Sequence, residues 1–208
     1  MPKKIILYDY PRSSAAYRVR IVLNLKAIQY QQVCVNLLNK DHQSTFYLAT
    51  NPQGMVPSLT VGDQIITQSM AIIEWLDETY PQQPLLPKDP LQKAQLRAQA
   101  YTIACDSQPL NSLRVLNYLL ADLAHTDSEK IAWYHHWLEL AFTAIETFLQ
   151  TNKQLHHVNF LDVLLVPQVF NANRFKLNMA PYHHINERVF WCNQLTAFQR
   201  AHPDQHFT

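Results

Sequence analysis

Two adjacent serines, Ser13 and Ser14, stand where a short apolar run gives way to a helical pattern. A serine hydroxyl at the start of a helix can accept a hydrogen bond from one of the first backbone N–H groups, so helix capping is one interpretation. The other interpretation is chemical, because the same hydroxyl can donate a hydrogen bond to a thiolate bound just outside the helix. The helix dipole adds about 0.3–1 kcal/mol to that stabilisation. The pair therefore predicts either a cap or a site that favours S⁻ over SH.

A second candidate is the segment Met55-Val56-Pro57-Ser58. A proline at the start of a strand is typical of a turn or a cis peptide bond, and a cis Val56–Pro57 bond would leave the backbone N–H and C=O of Val56 facing outward. Such an edge could pair with a short peptide. An ordinary trans proline that ends a loop is the alternative that the sequence leaves open.

The third candidate, Gln68-Ser69, opens another helical pattern. Ser69 is a good N-cap, and nothing in its immediate neighbours separates that role from ligand binding. If the segment binds a ligand, the free N–H groups and the dipole of the helix suit a carboxylate, with Gln68 donating alongside.

The elements that must position these residues follow from the hydrophobic periodicity. Residues 5–8 form an apolar run that suits a buried strand, and the next segment places Val19, Val22 and Leu23 on one helical face. Alternation over residues 30–35 indicates a second strand. A β-α-β unit of this length predicts a parallel pair with a right-handed crossover.

The remainder of the first 80 residues completes an α/β module. Gly62-Asp63 is a two-residue connection of the kind that closes an antiparallel hairpin. The predicted order is β-α-β-α-β-β-α with a mixed sheet. Its later elements are a short helix over 41–49, a turn at 51–54, strands over 58–61 and 64–67, and a helix from Ser69 that ends before Pro81.

Four prolines between positions 81 and 90 predict a linker there, because this density is incompatible with a helix interior. Residues 91–208 then show helical patterns and no glycine, which predicts an all-helical second domain. Pro109 and Pro167 should kink or interrupt these helices, and Asn159 with Asp162 forms a capping-box variant. The expected helices cover about 91–123, 128–150, 160–175 and 184–200.

Composition limits the classes of partner. With 17 basic and 16 acidic residues the formal charge is +1, so neither nucleic acid nor a membrane surface is expected as a partner. The apolar runs are too short to span a bilayer and the start has no signal-peptide pattern, which favours a cytoplasmic location. The three cysteines are scattered and predict packing residues, not disulfides. Adjacent histidines point about 100° apart on a helix, so no metal site is expected.

Taken together, the candidate segments resemble the zeta-class glutathione transferases in order and spacing. The resemblance continues into the helical half and covers nearly the whole chain. The runs that carry it are 12–21 (RSSAAYRVRI), 51–59 (NPQGMVPSL), 68–74 (QSMAIIE), 108–116 (QPLNSLRVL) and 166–175 (VPQVFNANRF).

The resemblance implies a thioredoxin-like N-terminal domain, an all-α C-terminal domain and glutathione as cofactor. Ser14, with Ser13 beside it, would hold the glutathione thiolate. Val56 would pair its backbone with the cysteinyl part of glutathione, next to a cis proline. Gln68 and Ser69 would hold the γ-glutamyl carboxylate.

Residues of the helical half are implied as well. Gln108 and Asn111, three apart and so on one face of a helix, would also bind glutathione. Arg174 would bind a carboxylate of a small acidic substrate, a task that suits its planar fork, although a surface ion pair is the interpretation that its sequence context alone favours. The class usually has a cysteine directly after the two serines, and this chain has Ala15. A homodimer is expected from the family.

The implied reaction is the isomerisation of maleylacetoacetate to fumarylacetoacetate in tyrosine and phenylalanine breakdown. The glutathione thiolate would add to the cis double bond, allow rotation and leave again, with no net consumption. Two alternatives remain open from the sequence. One is a zeta-like transferase that acts on small α-halo acids or peroxides, and the other is a binding protein of the same fold without turnover.

Overall fold

A computed structural model describes residues 4–152 and 157–206 of the chain. These residues form two compact units. The first unit comprises the described residues up to Pro84 together with those from Gln194 onward, and the second unit comprises the described residues from Leu85 to Asn193.

The first unit contains the expected β-α-β-α-β-β-α order. The predicted short helix over 41–49 is observed as a 3-10 turn at Asp41–Gln43 followed by a short α-helix. The elements are β1 (Ile5–Asp9), α1 (Ser14–Leu25), β2 (Gln31–Cys34), α2 (Thr45–Thr50), β3 (Ser58–Val61), β4 (Gln64–Thr67) and α3 (Ser69–Thr79).

The four strands form one mixed sheet in the order β2-β1-β3-β4. β1 and β2 are parallel, as the β-α-β pattern predicts, whereas β3 is antiparallel to both β1 and β4. The register pairs Tyr8 with Ser58 and Ser58 with Thr67. The end of β1, the start of β3 and the end of β4 therefore lie at the same edge of the sheet.

Helix α1 owes its position to its apolar face and to one charged side chain. Val19, Val22 and Leu23 are fully buried, as the periodicity predicts. Arg20, on the same helix, is also fully buried and donates from Nη1 to both carboxylate oxygens of Asp9 at 2.7 and 2.8 Å. A buried carboxylate of this kind is tolerated only when it is paired and hydrogen-bonded. Gln32 completes the pairing with a 2.5 Å hydrogen bond to Asp9.

The C-terminal segment packs on this first unit, which differs from the expected helical domain over 91–208. It contains α9 (Thr196–Ala201) and a 3-10 turn at Pro203–Gln205. The Arg20 guanidinium donates from Nε to the Ala201 carbonyl at 2.9 Å, and Asn24 donates to the Ala197 carbonyl at 3.1 Å. Backbone acceptors at this end of the chain, the buried Ala201 carbonyl among them, are thus satisfied by side chains of α1, which the linear pattern does not reveal.

The second unit consists of helices, as expected, but two of the predicted helices are divided. The helix expected over 91–123 is observed as a helix at Pro90–Tyr101 that continues into a π-helical turn, Thr102–Ser107, and is interrupted around Pro109. The helix expected over 184–200 ends at Asn193, and Leu195 has an extended backbone before α9. The helices are α4 (Pro90–Tyr101), α5 (Leu113–Ala121), α6 (Asp127–Thr151), α7 (Phe160–Arg174) and α8 (His183–Asn193).

Helix α7 forms the core of the second unit. Its residues from Phe160 to Val169 are all buried, including Pro167 inside the helix. The predicted capping box is confirmed, since Asn159 Oδ1 accepts from the backbone N–H of Asp162 and the Asp162 carboxylate accepts from that of Asn159. Arg188 of α8 then donates to both oxygens of this carboxylate at 2.6 and 2.7 Å.

The sequence also carries predictions about membrane spans, metal sites and cysteines, and the described residues bear on each. No helix in the described ranges is long and apolar enough to cross a membrane. Within the same ranges, no group of three His, Cys, Asp or Glu side chains could hold a metal ion. All three cysteines are free thiols, but only Cys192 is buried, so the packing role expected for Cys34 and Cys105 is wrong.

Removal of the Arg20 charge tests the importance of the buried pair. We expect Arg20→Met to lower the free energy of unfolding by about 3–5 kcal/mol, because it leaves the Asp9 carboxylate buried without its cation. Lys130→Met is the matched control, since Lys130 pairs with the exposed Asp127 and such a pair contributes about 0–1 kcal/mol. Urea unfolding measures both. Adding Asp9→Asn to Arg20→Met should recover part of the loss, and a further loss on that addition would contradict the explanation.

Candidate functional site

Ser13 and Ser14 have different roles in the structure. Ser13 is the N-cap of α1, and its Oγ accepts from the backbone N–H of Ala16 at 3.2 Å. Ser14 is the first helical residue and is buried. Capping is therefore the work of Ser13, and the neighbouring Ser14 hydroxyl lies at the positive end of α1 without being needed as the cap.

The Val56–Pro57 peptide bond is cis. Within the described residues, neither the backbone N–H nor the C=O of Val56 forms a hydrogen bond with the protein. The Val56 side chain is buried in a cluster with Tyr10, Val35 and Tyr47, which we call the Tyr10 cluster. The side chain thus fixes the loop while the backbone donor and acceptor stay available for an extended peptide.

The loop before the cis bond is held by two polar side chains. The Tyr47 hydroxyl donates to the Met55 carbonyl at 2.6 Å and lies 2.9 Å from the Ser58 hydroxyl. Asn51 donates to the same Met55 carbonyl at 2.7 Å. Burial raises the pKa of Tyr47, so its hydroxyl remains a donor.

Gly54 allows the turn that leads into this loop. Its φ is +59°, a region that residues with a Cβ seldom adopt. A Cβ at this position would also lie only 3.0 Å from the backbone oxygen of His42. The turn expected at 51–54 therefore depends on glycine for both its conformation and its close packing.

Gln68 and Ser69 begin α3, but not in the expected arrangement. Gln68 is the N-cap residue and Ser69 is the first residue inside the helix, so the prediction of Ser69 as N-cap is wrong. Gln68 has a φ of +70°, uncommon for a residue with a side chain, and such strain is often found at ligand sites. Its amide donates to Gln53 Oε1 at 2.7 Å. Ser69 Oγ accepts a long, 3.5 Å hydrogen bond from Arg18, which lies one turn after Ser14.

The sheet brings these three segments to one edge. α1 begins just after the end of β1, the cis proline comes directly before β3, and α3 follows the end of β4. A buried hydroxyl, an unpaired backbone edge and a helix N-terminus therefore surround the same part of the first unit. Hydroxyl and N–H donors suit an anion, and the Val56 edge suits a peptide backbone.

The remaining predicted residues belong to the second unit. Gln108 and Asn111 lie in a turn after the π-helical segment and not on one face of a regular helix, because Pro109 interrupts the pattern. Asn111 is buried, and its amide donates to the Tyr134 carbonyl at 3.0 Å. Arg174 is the last residue of α7, is exposed, and donates to Asn171 Oδ1 at 3.0 Å.

Four residues that take part in the site were not among the sequence candidates: Arg18, Tyr47, Asn51 and Gln53. Asn51-Pro52-Gln53-Gly54 gives a clear turn signal, but the turn pattern does not show which side chains point back to the loop or toward Gln68. A polar residue at the start of a turn is the signal that could have indicated Asn51.

A mixed sheet with a cis-proline loop and a helix N-terminus at one edge, followed in the chain by a helical unit, defines a thioredoxin-like domain joined to an all-α domain. Comparison with known proteins agrees with this class. The family model described as "Glutathione S-transferase, N-terminal domain" matches residues 7–84.

Relatives extend the match to nearly the whole chain. A probable maleylacetoacetate isomerase of Vibrio cholerae is 42% identical over 207 residues, which cover 96% of each protein. A solved bacterial maleylpyruvate isomerase, described as a zeta-class glutathione S-transferase, has a TM-score of 0.93 at 37% identity and covers 95% of this chain and 96% of its own. A maleylacetoacetate isomerase of Anaeromyxobacter dehalogenans, solved with bound glutathione, has a TM-score of 0.89 at 33% identity over 99% and 98% of the two chains.

The chain belongs to the glutathione S-transferase family, and within it to the zeta class. The predicted fold class and family are thus confirmed. The individual site residues stay predictions, supported by the geometry of the first unit and by the position of Arg174 at the end of α7.

The hydrogen bonds of Tyr47 can be tested by unfolding. We expect Tyr47→Phe to lower the free energy of unfolding by about 1 kcal/mol, because the Met55 carbonyl and the Ser58 hydroxyl each lose a partner. Tyr8→Phe is the control, since the Tyr8 ring packs on the same cluster, 5.8 Å from that of Tyr47. Equal losses in the two variants, measured in urea, would show that the hydrogen bonds of the Tyr47 hydroxyl contribute nothing specific to the loop.

Proposed function

We propose that this protein is a glutathione-dependent cis–trans isomerase that converts maleylacetoacetate to fumarylacetoacetate, as a step of tyrosine and phenylalanine catabolism. The observation that carries the proposal is the meeting of Ser14, Val56 and Ser69 at one sheet edge, in a chain similar over its whole length to isomerases of this kind. The relatives are named as enzymes, which favours an enzyme over a binding protein of the same fold without turnover.

The first unit fits glutathione on its own geometry. Glutathione is a short peptide with a free γ-glutamyl carboxylate, and Val56 offers a backbone donor and acceptor that make no hydrogen bond within the described residues. The N-terminus of α3, with Ser69 and the Gln68 side chain, supplies N–H and amide donors for the carboxylate. Gln53 supports this arrangement because it accepts from Gln68 and fixes the amide beside the helix.

Ser14 is the residue that we assign to thiolate stabilisation. Bound glutathione supplies a thiolate that adds reversibly to the conjugated double bond, so that rotation about the resulting single bond can occur and no glutathione is consumed. The Ser14 hydroxyl donates to the sulfur, and the dipole of α1 favours its negative charge. Ser13, which caps the helix, keeps Ser14 at the first helical position.

Arg174 is assigned to a carboxylate of the acidic substrate. It is exposed at the end of α7, and its guanidinium carbon lies 6.0 Å from the ring centroids of both Phe170 and Phe175. The aromatic rings limit the positions of the side chain, and the planar fork can bind a carboxylate through two hydrogen bonds. Orientation of the substrate through this group raises the rate by reducing the entropy cost of the reactive geometry.

No protein thiol is expected to take part. Position 15, where the class usually has cysteine, is alanine. Cys34 ends β2 and Cys105 lies in the π-helical segment of the other unit. Partial desolvation by its neighbours and the negative charge of Asp9 raise the pKa of the exposed Cys34 thiol, which keeps it protonated and weakly nucleophilic. The thiol chemistry therefore belongs to glutathione and to its partner Ser14.

A second substrate is favoured by a specific observation. The solved relative with a TM-score of 0.93 is a maleylpyruvate isomerase, and maleylpyruvate is also a cis-configured acid with a carboxylate at each end. The reaction and the proposed residue roles are the same for both acids. An assay of both substrates decides which one this chain prefers.

We further propose a cytoplasmic homodimer that acts on a small acidic molecule, with neither nucleic acid nor membrane as partner. Three free thiols suit a reducing compartment. Large apolar side chains exposed on the first unit, Leu38 and Phe46 among them, would be covered in a dimer. The near-zero net charge gives no attraction to a polyanion.

Ser14→Ala tests the thiolate assignment. We expect kcat/KM for maleylacetoacetate to fall about 10- to 100-fold, since a hydrogen bond to a charged group is lost. The acid limb of the pH profile should move to higher pH by about one to two units, because the thiolate loses the donor that lowers its pKa. Thr126→Ala, which removes a hydroxyl cap from α6, controls for loss of helix stability. Unaltered turnover and pH profile would remove Ser14 from this role.

Arg174→Ala tests the substrate assignment. We expect the KM for maleylacetoacetate to rise about 10- to 100-fold through loss of a charged hydrogen-bonded pair, with little change in the KM for glutathione. Arg174→Lys should recover only part of the affinity, because an ammonium lacks the bidentate fork. Arg114→Ala, at an exposed arginine of α5, is the control. A similar KM in Arg174→Ala and wild type would contradict the assignment.

A further inference from the structure

Three consecutive residues of α6, Trp133, Tyr134 and His135, contact the two segments of the second unit that carry the proposed ligand-binding residues. Successive side chains on a helix point about 100° apart, so Trp133 and His135 face different directions with Tyr134 between them. Trp133 donates from Nε1 to the Leu110 carbonyl at 2.9 Å. His135 Nε2 lies 2.8 Å from the Phe175 carbonyl.

Tyr134 takes part in both contacts. Its backbone carbonyl accepts from the Asn111 amide at 3.0 Å. Its ring stacks on that of Phe175, with 3.8 Å between centroids and 10° between planes. Because the Tyr134 side chain is almost fully buried, it fixes the spacing between the 108–111 turn and the end of α7.

The end of α7 is closed locally by its own backbone. The N–H of Leu177 donates to the Ala172 carbonyl, and that of Lys176, at a φ of +58°, donates to the Asn173 carbonyl. This is a Schellman motif, which ends a helix but does not attach it to a neighbouring helix. The attachment to α6 comes from Tyr134 and His135, which bind Phe175, the residue directly after Arg174.

The tautomer of His135 follows from its partner. A carbonyl oxygen can only accept, so Nε2 carries the proton and donates to Phe175. The hydrogen bond fixes the backbone immediately after Arg174, and the Arg174 guanidinium also lies near the Phe175 ring. A shift of this backbone would move the guanidinium away from the carboxylate it is proposed to bind, and misplacement by about 1 Å is costly to a positioned reaction.

We propose that His135 is a positioning residue that sets the orientation of Arg174 toward the acidic substrate. The proposal rests on the function proposed above, since it takes Arg174 as the carboxylate-binding group.

Two substitutions by amides of different length test His135. In His135→Gln the side-chain amide nitrogen occupies the place of Nε2 and can still donate to the Phe175 carbonyl, whereas in His135→Asn the shorter side chain cannot reach it. Both variants are neutral and polar, so they differ in reach and not in charge. We expect His135→Asn to raise the KM for maleylacetoacetate about three- to tenfold, the size expected for one lost neutral hydrogen bond, with the KM for glutathione unchanged. His135→Gln should stay close to wild type.

Trp133→Phe is the matched control. It keeps an aromatic ring and removes the N–H that binds Leu110, two positions before His135 on the same helix, so the KM for maleylacetoacetate should stay close to wild type. Equal changes of both KM values in both variants, or a lower thermal midpoint with no selective KM change, would show a merely structural role and overturn the proposal.

The Arg174→Ala background separates this inference from the proposed function. If Arg174 carries the effect, adding His135→Asn to Arg174→Ala should cause no further rise in the KM for maleylacetoacetate. An unchanged KM in Arg174→Ala alone would refute the carboxylate assignment and this proposal with it. A raised KM in Arg174→Ala together with a wild-type KM in His135→Asn would overturn only the role of His135.

Discussion

The ion pair between Asp9 and Arg20 joins the last residue of the first strand to the helix that follows it. Both side chains are fully buried, and the remaining guanidinium donors reach the carbonyls of Pro11 and Ala201. Two charges in this environment tolerate little change of geometry, because each depends on the other for compensation. The turn that contains Ser13 and Ser14 is spanned by this interaction, and the position of the proposed thiolate site follows from it.

The other two site segments depend on the same turn. Tyr10, just before the serines, packs with Val56 in the Tyr10 cluster, and Arg18, one turn into α1, reaches Ser69. Polar side chains then fix each segment by hydrogen bonds. Tyr47 and Asn51 donate to the loop before the cis proline, and Gln53 accepts from Gln68. The site of the first unit is thus built from backbone groups and hydroxyls that are fixed by buried side chains behind them, an arrangement that suits preorganised anion binding.

Sequence patterns predict the first unit well because its elements follow one another along the chain and differ in period. The strands and the hairpin at Gly62-Asp63 carry local signals, as does the capping box at Asn159 in the second unit. The misses have a common cause. The C-terminal segment packs on α1 through Arg20 and Asn24, and Gln53 meets Gln68, so both depend on contacts between distant residues. The N-cap of α3 is Gln68 and not Ser69, and Gln68 has a positive φ that its residue type does not suggest.

The placement of the C-terminal segment also affects how the protein is made. The Ala201 carbonyl, which accepts from Arg20, is synthesised only after the ribosome has completed the whole second unit, residues 85–193. Until then a buried guanidinium of the first unit lacks one of its acceptors, and the surface of α1 that contacts α9 stays uncovered. The domain that leaves the ribosome first is consequently the last to be completed, and a stalled or truncated chain would expose that surface to chaperones and proteases.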